Sequence, residues 1–337
     1  MKSITIRDVA REAGVSIATV SRVLSGKSNV SAETRQQIAE TIKRIGYKLP
    51  ATADRSLLAS DGIIYYIMRS ASVNVYSHLL NRQLIQAADA RGLKIVTSNI
   101  EVDTSVSEAF PEEEMMACLQ QARRSSVCGI IISGFSEDFM TAAVLQALRE
   151  LPFPVVLIVR APSDYSFNRV LTGGERGAFQ ATQHMLNTGR RHLMMVTFRN
   201  HVGKRTGFER AIQEYGRAGV SSQMIEVPDD SYESCEVALE EALRTDADVD
   251  GILCCADELA ARLCQKLWRI GKRVPEDVEV IGYNDNLAPF LCPPLSSVHV
   301  PLKLIAKTAL DLIFEQDQGQ AGNICKSVML DPQLILR

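Results

Sequence analysis

Apolar positions in the first fifty residues recur with helical spacing. Ile6, Val9, Ala10 and Ala13 stand at i, i+3, i+4 and i+7, the stripe of a helix that buries one face. Thr5 is placed to cap that helix, and Gly14 to supply the positive φ of a tight turn. Val15 can fill the corner, and Ser16 can cap a second helix running to about Leu24. That helix turns Val20, Val23 and Leu24 inward and leaves Ile17, Ala18, Ser21 and Arg22 on other faces. Ser31 caps a third helix, Glu33 complements its dipole, Ile38, Ile42 and Ile45 form its stripe, and Gly46 stops it. Helix, glycine turn, helix, supporting helix is the helix-turn-helix order, whose second helix is offered to a major groove. Periodicity alone fits any three-helix packing unit equally well.

Beyond residue 60 the pattern changes to short apolar runs separated by helical stretches. GIIYYIM (62–68), LKIVTSNI (93–100), CGIIISGF (128–135) and PVVLIV (154–159) form a first set of strands. HLMMVTF (192–198), QMIEV (223–227), VDGILCCAD (249–257) and VEVIGYND (278–285) form a second. Residues 76–91, 137–150, 204–218 and 258–271 read as intervening helices. Near-continuous apolar strands alternating with helices predict parallel sheets covered on both faces, here two doubly wound units with ligands at the strands' carboxyl ends. Rossmann-type enzymes share that description.

Charge adds a second asymmetry. The net charge of −3 over 337 residues divides into +5 on residues 1–50 and −8 on the rest, a basic head on an acidic body. Such a head suits a polyanion, without implying sequence specificity. No apolar run approaches the roughly 20 residues of a spanning helix, and the first residues lack a secretory apolar stretch, so a cytoplasmic, membrane-free protein is expected. The eight cysteines (118, 128, 235, 254, 255, 264, 292, 325) lack the spacing of a disulfide framework or zinc site. The histidines (78, 184, 192, 201, 299) form no close ligand pair. GGERG at 173–177 resembles a glycine-rich nucleotide loop, but no clear strand leads directly into it and the full spacing is missing. With no GxSxG elbow, HExxH or P-loop, no catalytic residue, cofactor or metal is expected.

The wording of the head is more specific than its periodicity. IRDVAREAGVSIATVSRVLSG followed by VSAETRQQIAETIKRIGY closely resembles the headpiece of the lactose-repressor/galactose-repressor (LacI/GalR) family. GRRHLMMV, VDGILCCADELA, RVPEDVEVIGYND and PPLSSV follow family landmarks in family order. The resemblance implies a multidomain chain: an all-α helix-turn-helix headpiece at 1–48, a hinge at 49–60, and an α/β two-lobed periplasmic-binding-protein-like effector and dimerisation domain at 61–337. The expected lobes are about 61–160 with 292–318, and 161–291 with 319–337. It further implies a repressor-type transcriptional regulator, a homodimer on double-stranded operator DNA, with a small-molecule effector (sugar, sugar phosphate or sugar acid) in the cleft. The chain lacks a long heptad tail at 328–337, so a tetramer is not expected.

Carried over residue by residue, the base-reading positions are Ile17, Ala18 and Arg22. Arg22 can fork onto guanine, whereas Ile17 and Ala18 discriminate only by packing. Thr5, Ser16, Thr19, Ser21, Ser31, Thr34 and Tyr47 match phosphate contacts, which fix orientation without reading sequence; a helix cap is the alternative role for each serine and threonine. In the hinge, Leu57 matches the minor-groove wedge, with Leu58 as the alternative. Asp54 departs from the pattern, and Pro50 lies one position late. In the cleft, Asn74, Tyr76, Arg160, Thr172, Lys204, Arg205, Asp257, Asn284 and Asp285 are the expected effector residues. Lys204 keeps the charge of a family arginine but loses its planar fork. Asn284 and Thr172-Gly173 stand where the family places carboxylates, and their loss, with Lys204, Arg205 and Arg160 present, suits an anionic ligand better than a free neutral sugar. Asp257 has the alternative role of capping the helix that follows.

Overall fold

The computed structural model describes residues 4–25, 30–47, 62–70, 75–101, 110–125, 127–135, 140–159, 167–199, 201–216, 218–228, 231–245, 248–315 and 325–337. The head consists of α1 (Ile6–Glu12), α2 (Ile17–Leu24) and α3 (Ala32–Ile45). Gly14 and Gly46 take φ values of +63° and +69°, as the turn and the helix stop require. Val9, Ala10, Ala13, Val20, Val23, Leu24, Ile38 and Ile42 form its core, the stripes expected from spacing.

The body contains two six-stranded sheets. The first joins β1 (Ile63–Ser70), β2 (Lys94–Glu101), β3 (Val127–Ser133), β4 (Val155–Val159), β5 (Asn168–Thr172) and β11 (Ser327–Leu330). Its order is β11-β5-β4-β3-β1-β2 and every pairing is parallel. Ile64, Tyr66 and Met68 face α4 (Val75–Asp89) and α11 (Leu302–Glu315), while Tyr65 and Ile67 face α5 (Glu112–Arg124) and α6 (Ala142–Arg149). The second sheet joins β6 (His192–Phe198), β7 (Ser221–Val227), β8 (Gly251–Cys254), β9 (Glu279–Asn284), β10 (Ser297–His299) and β12 (Gln333–Ile335). Its order is β12-β10-β9-β8-β6-β7, with only the β10–β12 pair antiparallel. Met195, Leu253 and Ile281 pack toward α7 (Gly174–Asn187) and α8 (Val202–Tyr215), and Met194, Val196 and Ile252 toward α9 (Tyr232–Thr245) and α10 (Asp257–Arg269).

These pairings place the lobe crossings differently from the sequence expectation. Residues 168–172 belong to the first sheet, so the first crossing lies at 172–174 rather than 160–161. Residues 297–299 remain in the second sheet, moving the second crossing from 291–292 to 299–302. The last segment divides, with 327–330 on the first sheet and 333–335 on the second. The apolar signal of β5 is broken by two buried polar residues, Asn168 and Arg169. Asn168 is satisfied through Oδ1, which accepts from the Lys326 N–H (2.8 Å). It also means that GGERG does follow a strand directly, contrary to expectation: β5 ends at Thr172 and α7 begins at Gly174.

Candidate nucleic-acid interface and inter-lobe cleft

In the head, hydroxyls open all three helices. Ser16 Oγ accepts the Thr19 N–H (3.0 Å) and lies 2.8 Å from Thr19 Oγ1. Ser31 Oγ accepts the Thr34 N–H (3.3 Å) and lies 2.9 Å from Thr34 Oγ1. At α1 the Thr5 N–H and hydroxyl both donate to Asp8 Oδ2 (2.9 and 2.7 Å), holding that carboxyl below its ordinary range. Ser16 and Ser31 therefore are N-caps, and Thr5 and Asp8 form a capping box. An exposed hydroxyl in such a cap keeps capacity for one further partner, since it has one donor and two lone pairs.

The same caps orient α2. Its inner side is sealed by Val20, Val23 and Leu24, while Ile17, Ala18, Ser21 and Arg22 are exposed. Ile17 is 46% exposed at the first helical position, an apolar side chain left in water with no core reason to be there. Tyr47 is half-buried against the head core. Leu57, its alternative Leu58, and Asp54 lie outside the described residues.

In the body, the second lobe gathers a polar cluster at the carboxyl ends of β8 and β9. Lys204 is buried on α8; its Nζ donates to the Cys255 carbonyl (2.8 Å) and lies 3.6 Å from the centroid of the Tyr283 ring. Tyr283 Oη donates to the Gly174 carbonyl (3.3 Å), tying β9 to the start of α7. Asp257 is 0% exposed. Its Oδ2 accepts the N–H groups of Asn286, Leu287 and Ala288 (2.7, 3.0 and 3.2 Å), and its Oδ1 accepts the Ser297 hydroxyl (2.6 Å). Burial outweighs those bonds and raises its pKa. Asp257 thus anchors the loop after β9; it sits at the first position of α10 and does not cap that helix with its side chain.

That loop is strained where it leaves the sheet. Asn284 and Asp285 take φ values of +98° and +58°, which side chains other than glycine rarely adopt. Asp285 pairs with Arg337 (2.7 Å) and His299 (3.1 Å), both on the side of β10 and β12. Arg205 is turned to β7, paired with Glu226 (2.6 Å). Thr172 ends β5 beside the first crossing, and Tyr76 packs half-buried on the core of the first lobe. Asn74 and Arg160 lie outside the described residues. The nine expected effector residues therefore separate: Lys204 faces the polar cluster, whereas Arg205, Asp257 and Asp285 are committed to structural partners. Sequence reasoning passed over Glu258 and Asn286, which complete the cluster. Asn286 Nδ2 donates to Glu258 Oε1 (3.2 Å), and burial raises the Glu258 pKa. Glu258 lies inside the tract VDGILCCADELA, and Asn286 follows immediately after RVPEDVEVIGYND, so only the first lay within a tract that had been singled out.

Buried Cys235, Cys254, Cys255 and Cys264 line the core of the second lobe. Burial pushes the Cys264 thiol up to about 12, which suits packing and not reactivity. Among the described residues no His, Cys, Asp and Glu group could hold a metal ion, and no helix is long and apolar enough to cross a membrane.

Two family models match different parts of the chain. Residues 5–49 match the family of bacterial regulatory proteins, lacI family, and residues 182–337 match the periplasmic binding protein-like domain. Catabolite control protein A of Priestia megaterium is 31% identical over 317 residues, covering 92% of each chain. The HTH-type transcriptional repressor PurR of Photobacterium profundum is 26% identical over 345 residues, 99% of this chain and 97% of the relative. Among solved structures, the lac repressor dimer bound to operator and the anti-inducer ONPF superposes with a TM-score of 0.66 at 22% identity, over 99% of this chain and 98% of that one.

Proposed function

The chain belongs to the lacI family of bacterial regulatory proteins, transcriptional regulators and not enzymes, and from that premise we propose how its head reads DNA and its body senses a metabolite. The head inserts α2 into the major groove of an operator half-site, with Arg22 forked onto a guanine and Ile17 and Ala18 packed on base edges such as thymine methyls. Ser16, Thr19, Ser21, Ser31, Thr34, Thr5 and Tyr47 hold phosphates along the rim, and Leu57 of the hinge wedges into the minor groove. The observation that carries this reading is the exposed outer face of α2, apolar at its first position and cationic at Arg22, on a helix whose inner face is fully packed.

The body is a homodimer that binds a small carbohydrate-type metabolite between its lobes, against the side of the second lobe that carries Lys204, Glu258, Asn286 and the Tyr283 ring. Three chain crossings join the lobes, so a ligand that prefers one lobe angle shifts the separation of the two hinges. Only differential affinity for the two states can move that equilibrium. Thr172 lies at one of these crossings and Asn284 at the strained exit of β9, where each reports the lobe angle as well as touching ligand. The test is a gel-shift of the full chain on the promoter DNA of its neighbouring genes, with and without candidate metabolites. Retarded, footprinted complexes whose affinity changes with one metabolite are expected. A chain that ignores every such fragment at moderate salt would overturn the reading.

A further inference from the structure

Each sheet of the body forks once. In the first, the chain leaves β1 for β2 on one side and later places β3 on the other; in the second, β6 stands between β7 and β8 in the same way. Open α/β sheets hold ligands in the crevice at the carboxyl ends of strands that part like this. The second fork is occupied by Lys204, hydrogen-bonded to the carbonyl of Cys255 immediately after β8. The corresponding place in the first fork is taken by Arg69, one residue before the end of β1, beside Gly134, the residue after β3.

We infer that Arg69 is an anion-binding residue of the inter-lobe cleft, and that the effector carries a carboxylate or phosphate. This rests on the reading of that cleft as the effector site. Arg69 is half-buried, its Nε is shielded from water without a hydrogen-bond partner, and no described carboxylate pairs with it. Two arginines near the lobe crossings and on the second lobe have carboxylate partners, Arg205 with Glu226 and Arg176 with Asp331 (2.6 Å), while Lys204 faces the cleft from the second lobe, donating to the Cys255 carbonyl beside the Tyr283 ring. A charge drawn out of water without a counter-charge is costly, and a planar guanidinium fork matches a carboxylate or phosphate.

The backbone beside it is shaped for this side chain. Gly134 has φ +82°, and a Cβ there would lie 2.7 Å from Arg69 Cβ, so only glycine leaves room for the arginine stem. Phe135, next in the chain, is buried and packs edge-on against Phe110 at 5.6 Å between centroids, making that flank apolar. The anionic ligand suggested by residue types in the second lobe thus gains a cation from the first, and a molecule held by both forks would draw the lobes together.

The full chain is titrated by calorimetry at constant ionic strength with glucose, gluconate, glucose 6-phosphate and inorganic phosphate. At least one anion should bind ten-fold or more tightly than glucose; the gluconate and phosphate arms tell carboxylate from phosphate. Arg69→Gln should lower that anion's affinity at least ten-fold, leave glucose unchanged and not lower the melting temperature of the ligand-free protein, because no partner among the described residues is lost. Arg69→Lys should restore part of the affinity, and Arg205→Gln should change nothing. Anions binding no better than glucose, or Arg69→Gln binding them as the parent does, overturns the inference while the cleft reading stands. If neither glucose nor any anion binds, both fall together.

Discussion

Arg22 and Asp257 show how differently two charged side chains can serve one protein. Arg22 is exposed and outside the head core, so Arg22→Ala should leave the melting temperature unchanged while costing about 1–3 kcal/mol of operator binding. Footprint titrations on operators with single base changes should show discrimination relaxed at one base pair. Asp257 is the opposite case, with four donors converging on one buried carboxylate. Asp257→Ala strands three backbone N–H groups and a hydroxyl, each stranded donor costing about 1–3 kcal/mol, whereas Asp257→Asn can keep most of the bonds. Its raised pKa has a sign. The folded state favours the protonated form, so the associated stability is present below the ordinary value of 3.8 and lost as pH rises through the raised one. Urea unfolding from pH 4 upward should therefore show the parent losing stability relative to Asp257→Asn as pH increases.

At the scale of elements, the head was legible because its signals are local. Caps, stripe and stop in α1 to α3 all lie within a few residues of one another, and each takes the position that spacing assigns. Ser16→Ala should accordingly lower head stability by about 1 kcal/mol and weaken DNA binding in parallel, which thermal unfolding and gel-shift would read together. The edges of the body were less legible. β5 conceals itself behind Asn168 and Arg169, whose burial is made tolerable by partners such as the distant Lys326 N–H, and β10 to β12 are too short to carry a period. In the cleft, residue type identified cationic positions but not their direction: Arg205 follows Lys204 by one residue and faces a different strand. The approach of α7 and α8 was also invisible, yet Gly207 permits it, since a Cβ there would stand 2.0 Å from the Glu175 carbonyl oxygen. Gly207→Ala should destabilise by about 1–3 kcal/mol or more by forcing the two helices apart, a loss that denaturant unfolding measures.

At the scale of the whole molecule, the two small heads of the proposed two-fold dimer would read DNA only if their spacing matches the duplex. Half-sites about 10–10.5 base pairs apart, or multiples of that, present the same groove face to both heads. Inserting five base pairs between half-sites should drop affinity toward that of a single half-site in gel-shift titrations, while restoring a full turn recovers much of it. The lobes themselves are joined at 172–174, 299–302 and 330–333. One such tether would act as a swivel and two as an axle. Three tethers restrain sliding more than bending or twisting, so a metabolite lodged between the lobes, as proposed, would work on a lever rather than on a loose latch.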